Sequence, residues 1–157
     1  GRSVSLPDIC ARLTAFVRQS DLQAGKVKPI VIGHSMGGLI ARACLADGDF
    51  KESVAGIVTL GACHAGSKVA VLAIGDQARS LVPGSEFLRR LRDDPVQDLP
   101  CIALAATADE QVLPASSLVP PPGWTLKLVG AYGHLGMLFS PVVRALLEQE
   151  LEAITGC

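Results

Sequence analysis

The feature that most constrains the fold is the pentapeptide Gly33–Gly37, which reads Gly-His-Ser-Met-Gly. A wholly apolar run, Pro29–Ile32, precedes it, and a helical pattern, Leu39–Leu45, follows it. Glycines around a serine between a strand and a helix are typical of a turn too tight for larger side chains. The pattern predicts that Ser35 lies at the tip of this turn with its hydroxyl exposed. It also predicts that the backbone N–H of Met36, at the start of the helix, points to the same side.

Apolar runs along the rest of the chain predict a mostly parallel sheet flanked by helices. We predict strands at Pro29–Gly33, Val54–Leu60, Cys101–Ala106 and Thr125–Gly130. The first of these runs is wholly apolar and the second is expected to be buried, as in parallel strands covered on both faces. Helical periodicity predicts helices from Ser5, after Ser35, over Ser67–Ile74, over Ser85–Arg92 and over Pro141–Ile154. Alternating strands and helices favour parallel pairing through right-handed crossovers, which is the α/β fold class.

Two local details of these helices can be predicted as well. The helix after Ser35 is expected to end near Asp47-Gly48-Asp49, with Gly48 as its C-cap. The last helix is expected to bury a stripe made of Val142, Leu146, Leu147 and Leu151.

Three residues able to carry out acyl transfer follow three of the predicted strands. Ser35 follows the first strand, Asp109 the third and His134 the fourth. The carboxyl ends of parallel strands meet at one edge of a sheet, so these side chains are expected to converge. A histidine can take the serine proton and pass it to a leaving group, and an aspartate can fix its tautomer and offset its charge. The sequence therefore predicts Ser35 as nucleophile, His134 as base and Asp109 as acid.

The other histidines and acids are assigned lesser roles by their positions. His34 is expected to pack under the turn or to line the substrate pocket, and His64, after the second strand, is expected near the pocket too. A Cys63–His64 thiol dyad is disfavoured because adjacent side chains at a strand end point apart. Asp109 is preferred for its place at a strand end over the competing acids Asp76, Asp93, Asp94 and Asp98.

The sequence resembles the carboxyl-terminal half of an α/β-hydrolase of the lipase and esterase group. The matching stretches are Val31–Arg42, Val58–Ser67, Asp109–Pro114 and Gly133–Met137, with Cys63 where the family usually has proline. The resemblance implies a sheet of the α/β-hydrolase type and the triad Ser35, Asp109 and His134. It also implies the N–H of Met36 as an oxyanion donor and hydrolysis of carboxylic esters through an acyl-serine intermediate.

The chain departs from the family pattern at its amino-terminal side. The family fold has further strands there, and a loop after one of them supplies a second oxyanion N–H, which nothing before Ser5 can provide. We therefore expect residues 1–157 to be one partial, amino-terminally truncated domain: a fragment, a shortened reading frame or a form completed by a partner. Loss of one donor costs about 10²–10³ in turnover, which predicts weak activity for the chain alone. The free edge of the Ser35 strand would offer a route to self-association.

The segment around residues 67–97 is expected to form a small helical cap over the substrate. Its apolar residues suggest a substrate with an apolar acyl part, although they could equally pack on the sheet. Two other functions stay open. One is a thioesterase or acyltransferase with the same triad, and the other is a non-catalytic remnant that lacks half of the oxyanion hole.

Composition excludes several classes of function. Hydrophobic residues make up 49% and charged residues 18% of the 157 residues, as in a globular domain. The net charge of −1 does not favour nucleic acid as a partner, and no apolar run is long enough to cross a membrane. Three histidines and five scattered cysteines offer no metal-ligand spacing, and no cofactor is expected. The cysteines are interpreted as mostly reduced, buried thiols, and this interpretation favours a cytoplasmic location.

Overall fold

A four-stranded parallel sheet organises the part of the chain that the structure describes. The structure is a computed structural model that describes residues 6–23, 27–69, 81–92 and 98–156. The strands are β1 (Ile30–His34), β2 (Gly56–Leu60), β3 (Cys101–Ala105) and β4 (Thr125–Leu128), and they lie side by side in chain order. All three pairings are parallel, so every strand ends at the same edge of the sheet.

Helices cover both faces of the central strands. They are α1 (Leu6–Gln23), α2 (Met36–Cys44), α3 (Gly48–Ser53), α4 (Glu86–Arg92) and α5 (Pro141–Thr155). Adjacent β2 residues point to opposite faces: Ile57 packs with Phe50 and Cys44, while Val58 packs in a second cluster with Val143. Burial on both faces explains why β2 is rich in apolar residues on both sides of the strand.

The two outer strands are less buried than the two central strands. β2 and β3 are buried at every position, whereas Ile32 of β1 is 47% exposed and Leu128 of β4 is 65% exposed. Within the described residues β1 pairs with β2 alone, so its second edge has no strand against it.

Two of the helix predictions are wrong in detail. Gly48 does not cap α2, which ends at Cys44, but begins α3, because the Asp47 carboxylate accepts a hydrogen bond from Asp49 N at 3.0 Å and caps that helix. In the predicted stripe of α5, Leu146, Leu147 and Leu151 pack against the core as expected, but Val143, with 1% exposure, takes the place of Val142, with 59%. The Ser140 hydroxyl accepts from Val143 N and sets the start of this helix.

The predicted cap lies partly outside the described residues. Positions 70–80 and 93–97, which include Asp76, Asp93 and Asp94, are not described. In the described portion, α4 follows the capping residue Ser85, and Leu88 is buried against the sheet with Leu39. No helix among the described residues has the length and hydrophobicity needed to span a bilayer.

Candidate active site

Ser35 sits between β1 and α2 in a backbone conformation that side-chain-bearing residues rarely adopt. Its φ is 53° and its ψ is −124°. Among the described non-glycine residues only Ser35 and Asp98 have positive φ. Such a conformation costs about 1–3 kcal/mol and persists where surrounding contacts enforce it. Here Ser35 N donates to Leu60 O at 2.9 Å, which ties the turn to the end of β2.

Close backbone contact explains two glycines of this turn. A Cβ at Gly33 would lie 2.6 Å from the Gly38 Cα, and a Cβ at Gly38 would lie 2.8 Å from the Ala62 Cβ. A Cβ at Gly37 would meet nothing within 4 Å among the described residues. The tight contact predicted for the motif therefore involves Gly33 and Gly38 and not Gly37.

Asp109 and His134 form a buried pair at the carboxyl edge of the sheet. The Asp109 Oδ2 lies 2.7 Å from the His134 Nδ1, and the two side chains are 0% and 2% exposed. The other oxygen, Oδ1, accepts from the backbone N–H groups of Gln111 and Val112, both at 2.9 Å. Because the carboxylate is held in place, it fixes the imidazole with its proton on Nδ1 and Nε2 free to accept.

His34 brings the His134 loop against the Ser35 turn. Its Nε2 donates to the His134 carbonyl oxygen at 3.2 Å, and the two ring centroids are 4.6 Å apart. Burial lowers the pKa of His34 below its usual range, which favours this neutral, donating form. No hydrogen bond among the described residues joins the Ser35 hydroxyl to the His134 ring. Such bonds are often long before substrate binds.

Two residues that the sequence analysis did not select also shape this pair. A Cβ at Gly61, whose φ is +55°, would lie 3.2 Å from the Asp109 Oδ2 and 3.3 Å from the His134 Nδ1. Glu110 Oε2 accepts from His134 N at 3.0 Å, and this bond holds the pKa of the Glu110 carboxyl below its ordinary value. In the sequence, the position of Gly61 directly after β2 was the one feature that could have indicated this role.

His64 is buried rather than poised for proton transfer. Burial lowers its pKa to about 3, and its Nε2 lies 3.3 Å from the Thr59 Oγ1. Its carbonyl accepts from the Arg42 Nη1 at 2.9 Å, while the Arg42 Nη2 donates to Leu91 O at 2.7 Å. His64, Arg42 and Leu88 line a cavity of about 250 Å³. His64 thus lies beside a cavity, and its contact with substrate stays a prediction.

The backbone N–H of Met36 lies at the start of α2, directly after Ser35. Met36 and Gly37 open α2, and the N–H groups of a first helical turn have no carbonyl partner within the helix. Within the described residues, no group of three His, Cys, Asp or Glu side chains is placed to hold a metal ion.

Known proteins that are similar to this chain have the same fold. Residues 9–80 match a family described as the PGAP1-like alpha/beta domain. Comparison with curated proteins gives no significant match. The structure is similar to Aspergillus fumigatus lipase B, with a TM-score of 0.79 and 19% identity over 91% of this chain and 41% of that one.

Two further solved structures show the same arrangement. Bacillus licheniformis lipase BlEst2 in its mature form has a TM-score of 0.75 and 19% identity over 96% of this chain and 74% of that one. Legionella pneumophila phospholipase PlaB has a TM-score of 0.72 and 14% identity over 94% of this chain and 49% of that one. The chain thus spans less than half the length of the first and third of these structures. Its parallel sheet and flanking helices have the α/β-hydrolase fold of lipases and esterases.

Proposed function

We propose that this chain is a serine hydrolase that cleaves carboxylic esters through an acyl-serine intermediate. Ser35 is the nucleophile, His134 the general base and acid, and Asp109 the acid that orients it. The observation that carries the proposal is the buried 2.7 Å Asp109–His134 pair, held beside the strained Ser35 turn. Because Nδ1 contacts Asp109, Nε2 is the ring nitrogen of His134 that would accept the Ser35 proton.

The reaction follows from these positions. The Ser35 Oγ attacks the ester carbonyl carbon while its proton passes to the His134 Nε2. Negative charge develops on the carbonyl oxygen, and the N–H of Met36 donates to it. The intermediate collapses, the ester bond breaks, and the alcohol leaves with the proton from His134. Water, activated by the same imidazole, then hydrolyses the acyl-serine.

Exposed apolar side chains support an apolar acyl group. Leu135, next to His134, is 55% exposed, and Phe139, at the end of the following turn, is 85% exposed. Large apolar side chains grouped on a surface are common where apolar ligands bind. The proposal assigns a single oxyanion donor, and loss of one such donor typically lowers turnover by about 10²–10³. A covalent probe is therefore a better first test than turnover.

The test is labelling with a fluorophosphonate that reacts with activated serines. We expect the wild-type chain to be labelled and Ser35→Ala to be unlabelled, with Ser116→Ala, at an exposed serine, as the matched control. Circular dichroism establishes that each variant is folded. Folded wild-type protein that is not labelled would indicate a non-catalytic remnant and overturn the proposal. Faster turnover of acyl-thioesters than of matched p-nitrophenyl esters would replace the esterase assignment with a thioesterase.

A further inference from the structure

Two thiols outside the candidate active site lie against each other between α1 and α2. The Cys10 side chain packs against the core cluster that contains Cys44, and each thiol shifts the pKa of the other. Both belong to the core cluster beneath α1, α2 and α3, where Cys44 is 1% exposed and Cys10 is half-buried. The four cysteines in the described residues are free thiols, and the active-site chemistry uses none of them.

The two thiols differ in exposure and in pKa because their surroundings differ. Cys10 and Cys44 line one surface cleft of about 460 Å³, which is large enough to admit a small molecule. The neighbouring Cys44 thiol lowers the pKa of Cys10, and the Cys10 thiol, together with burial, raises the pKa of Cys44. A thiol that is both partly exposed and more readily ionised is the one that attacks, since the thiolate is the nucleophile.

We propose that Cys10 and Cys44 are a redox-active pair that low-molecular-weight disulfides convert into a disulfide joining α1 to α2. Cys10 is the attacking thiol and Cys44 is the resolving thiol.

The exchange balances in two steps. The Cys10 thiolate attacks one sulfur of the small disulfide, whose S–S bond breaks, and one thiolate leaves. The Cys44 thiol then gives its proton to that released thiolate and attacks the Cys10 sulfur, displacing the second small thiolate, which takes up the proton that Cys10 had released to solvent. Two protein thiols are oxidised to one disulfide, and one small disulfide is reduced to two thiols.

The experiment treats the folded chain with 2-hydroxyethyl disulfide, a neutral probe. Cys157→Ser is the background, so that a terminal thiol does not compete. We expect the protein to lose the mass of two hydrogen atoms. We also expect a tryptic cross-link between the peptides Ser3–Arg12 and Ala43–Lys51. Cys44→Ser should stop at a stable mixed disulfide on Cys10, whereas Cys101→Ser, which changes a buried thiol elsewhere, should cross-link normally.

Thermal unfolding provides a second readout that needs no further variant. The bond closes a loop of about 35 residues, so the oxidised chain should melt roughly 10 °C higher than the reduced chain. Thiols that stay reduced in the folded protein, or a cross-link between other cysteines, would overturn the proposal. So would an oxidised chain that melts at a lower temperature, because the bond would then be strained. None of these results depends on whether Ser35 is catalytic.

Discussion

Replacing Asp109 with asparagine tests the candidate triad with almost no change in shape. The Asp109 Oδ1 accepts two backbone N–H bonds at 2.9 Å, and only Oδ2 contacts His134. Asparagine can keep both backbone bonds only if its amide nitrogen faces the imidazole. Turning the amide over would break two hydrogen bonds worth about 1 kcal/mol each and set donors against donors. The retained bonds therefore direct the amide N–H at the His134 Nδ1.

An amide donor at Nδ1 reverses the tautomer of the imidazole. Nδ1 must now accept, so the proton moves to Nε2, the atom that has to take the proton of Ser35. No water can replace the lost acceptor easily, since both side chains are buried. We expect kcat/KM for p-nitrophenyl esters to fall by about 10³–10⁴, roughly 4–5.5 kcal/mol in activation free energy.

Stability should change little in comparison. A charge-assisted hydrogen bond becomes a neutral one, which costs about 1 kcal/mol and lowers the melting temperature by a few degrees. Asp98→Asn is the matched control because Asp98 is exposed and its φ of 70° suits asparagine. Near-normal turnover in Asp109→Asn, or an equal loss in Asp98→Asn, would refute the reasoning.

Two further variants probe the residues around the pair. Gly61→Ala places a methyl group about 3.2 Å from the Asp109 Oδ2 in a left-handed conformation. It should cost about 1–2 kcal/mol of stability and at least ~10-fold in activity, as followed by thermal melting and ester hydrolysis. Gly48→Ala, where a Cβ would be unobstructed, should show neither effect. Glu110→Ala removes the acceptor of His134 N and should lower kcat about 10-fold with little change in KM, whereas Glu110→Gln, which keeps an acceptor, should restore kcat.

The sequence predicts the sheet well because its strands are simple in composition. The first three strands are short, mostly apolar runs, and every observed strand overlaps its predicted run, although β2 begins two residues later and β4 ends two residues earlier than predicted. The positions of the acid and the histidine after the third and fourth strands were enough to predict that Asp109 lies beside His134. The roles of these residues remain a proposal.

What the sequence could not predict depends on contacts between distant positions. Gly61 looks like any glycine after a strand, and only the nearness of Asp109 and His134 shows why a side chain is excluded there. Glu110 looks like a solvent-exposed acid until its bond to His134 is seen. Asp47-Gly48 has the composition of a helix end, and it was misassigned because the same residue types also start helices.

The segment between β4 and His134 must be long enough to cross the width of the sheet. The outer strands of four neighbours lie about 14 Å apart, yet the rings of His34, at the end of β1, and His134, six residues after Leu128, have centroids 4.6 Å apart. The backbone leaving β4 must double back across the tips of β3 and β2, and the bare Cα of Gly61 lies on that route. Six residues reach roughly 20 Å when stretched, and the bend at Gly130 uses part of this length. The number of residues in this segment, as much as their identity, therefore determines whether the His134 ring reaches the end of β1, where His34 lies.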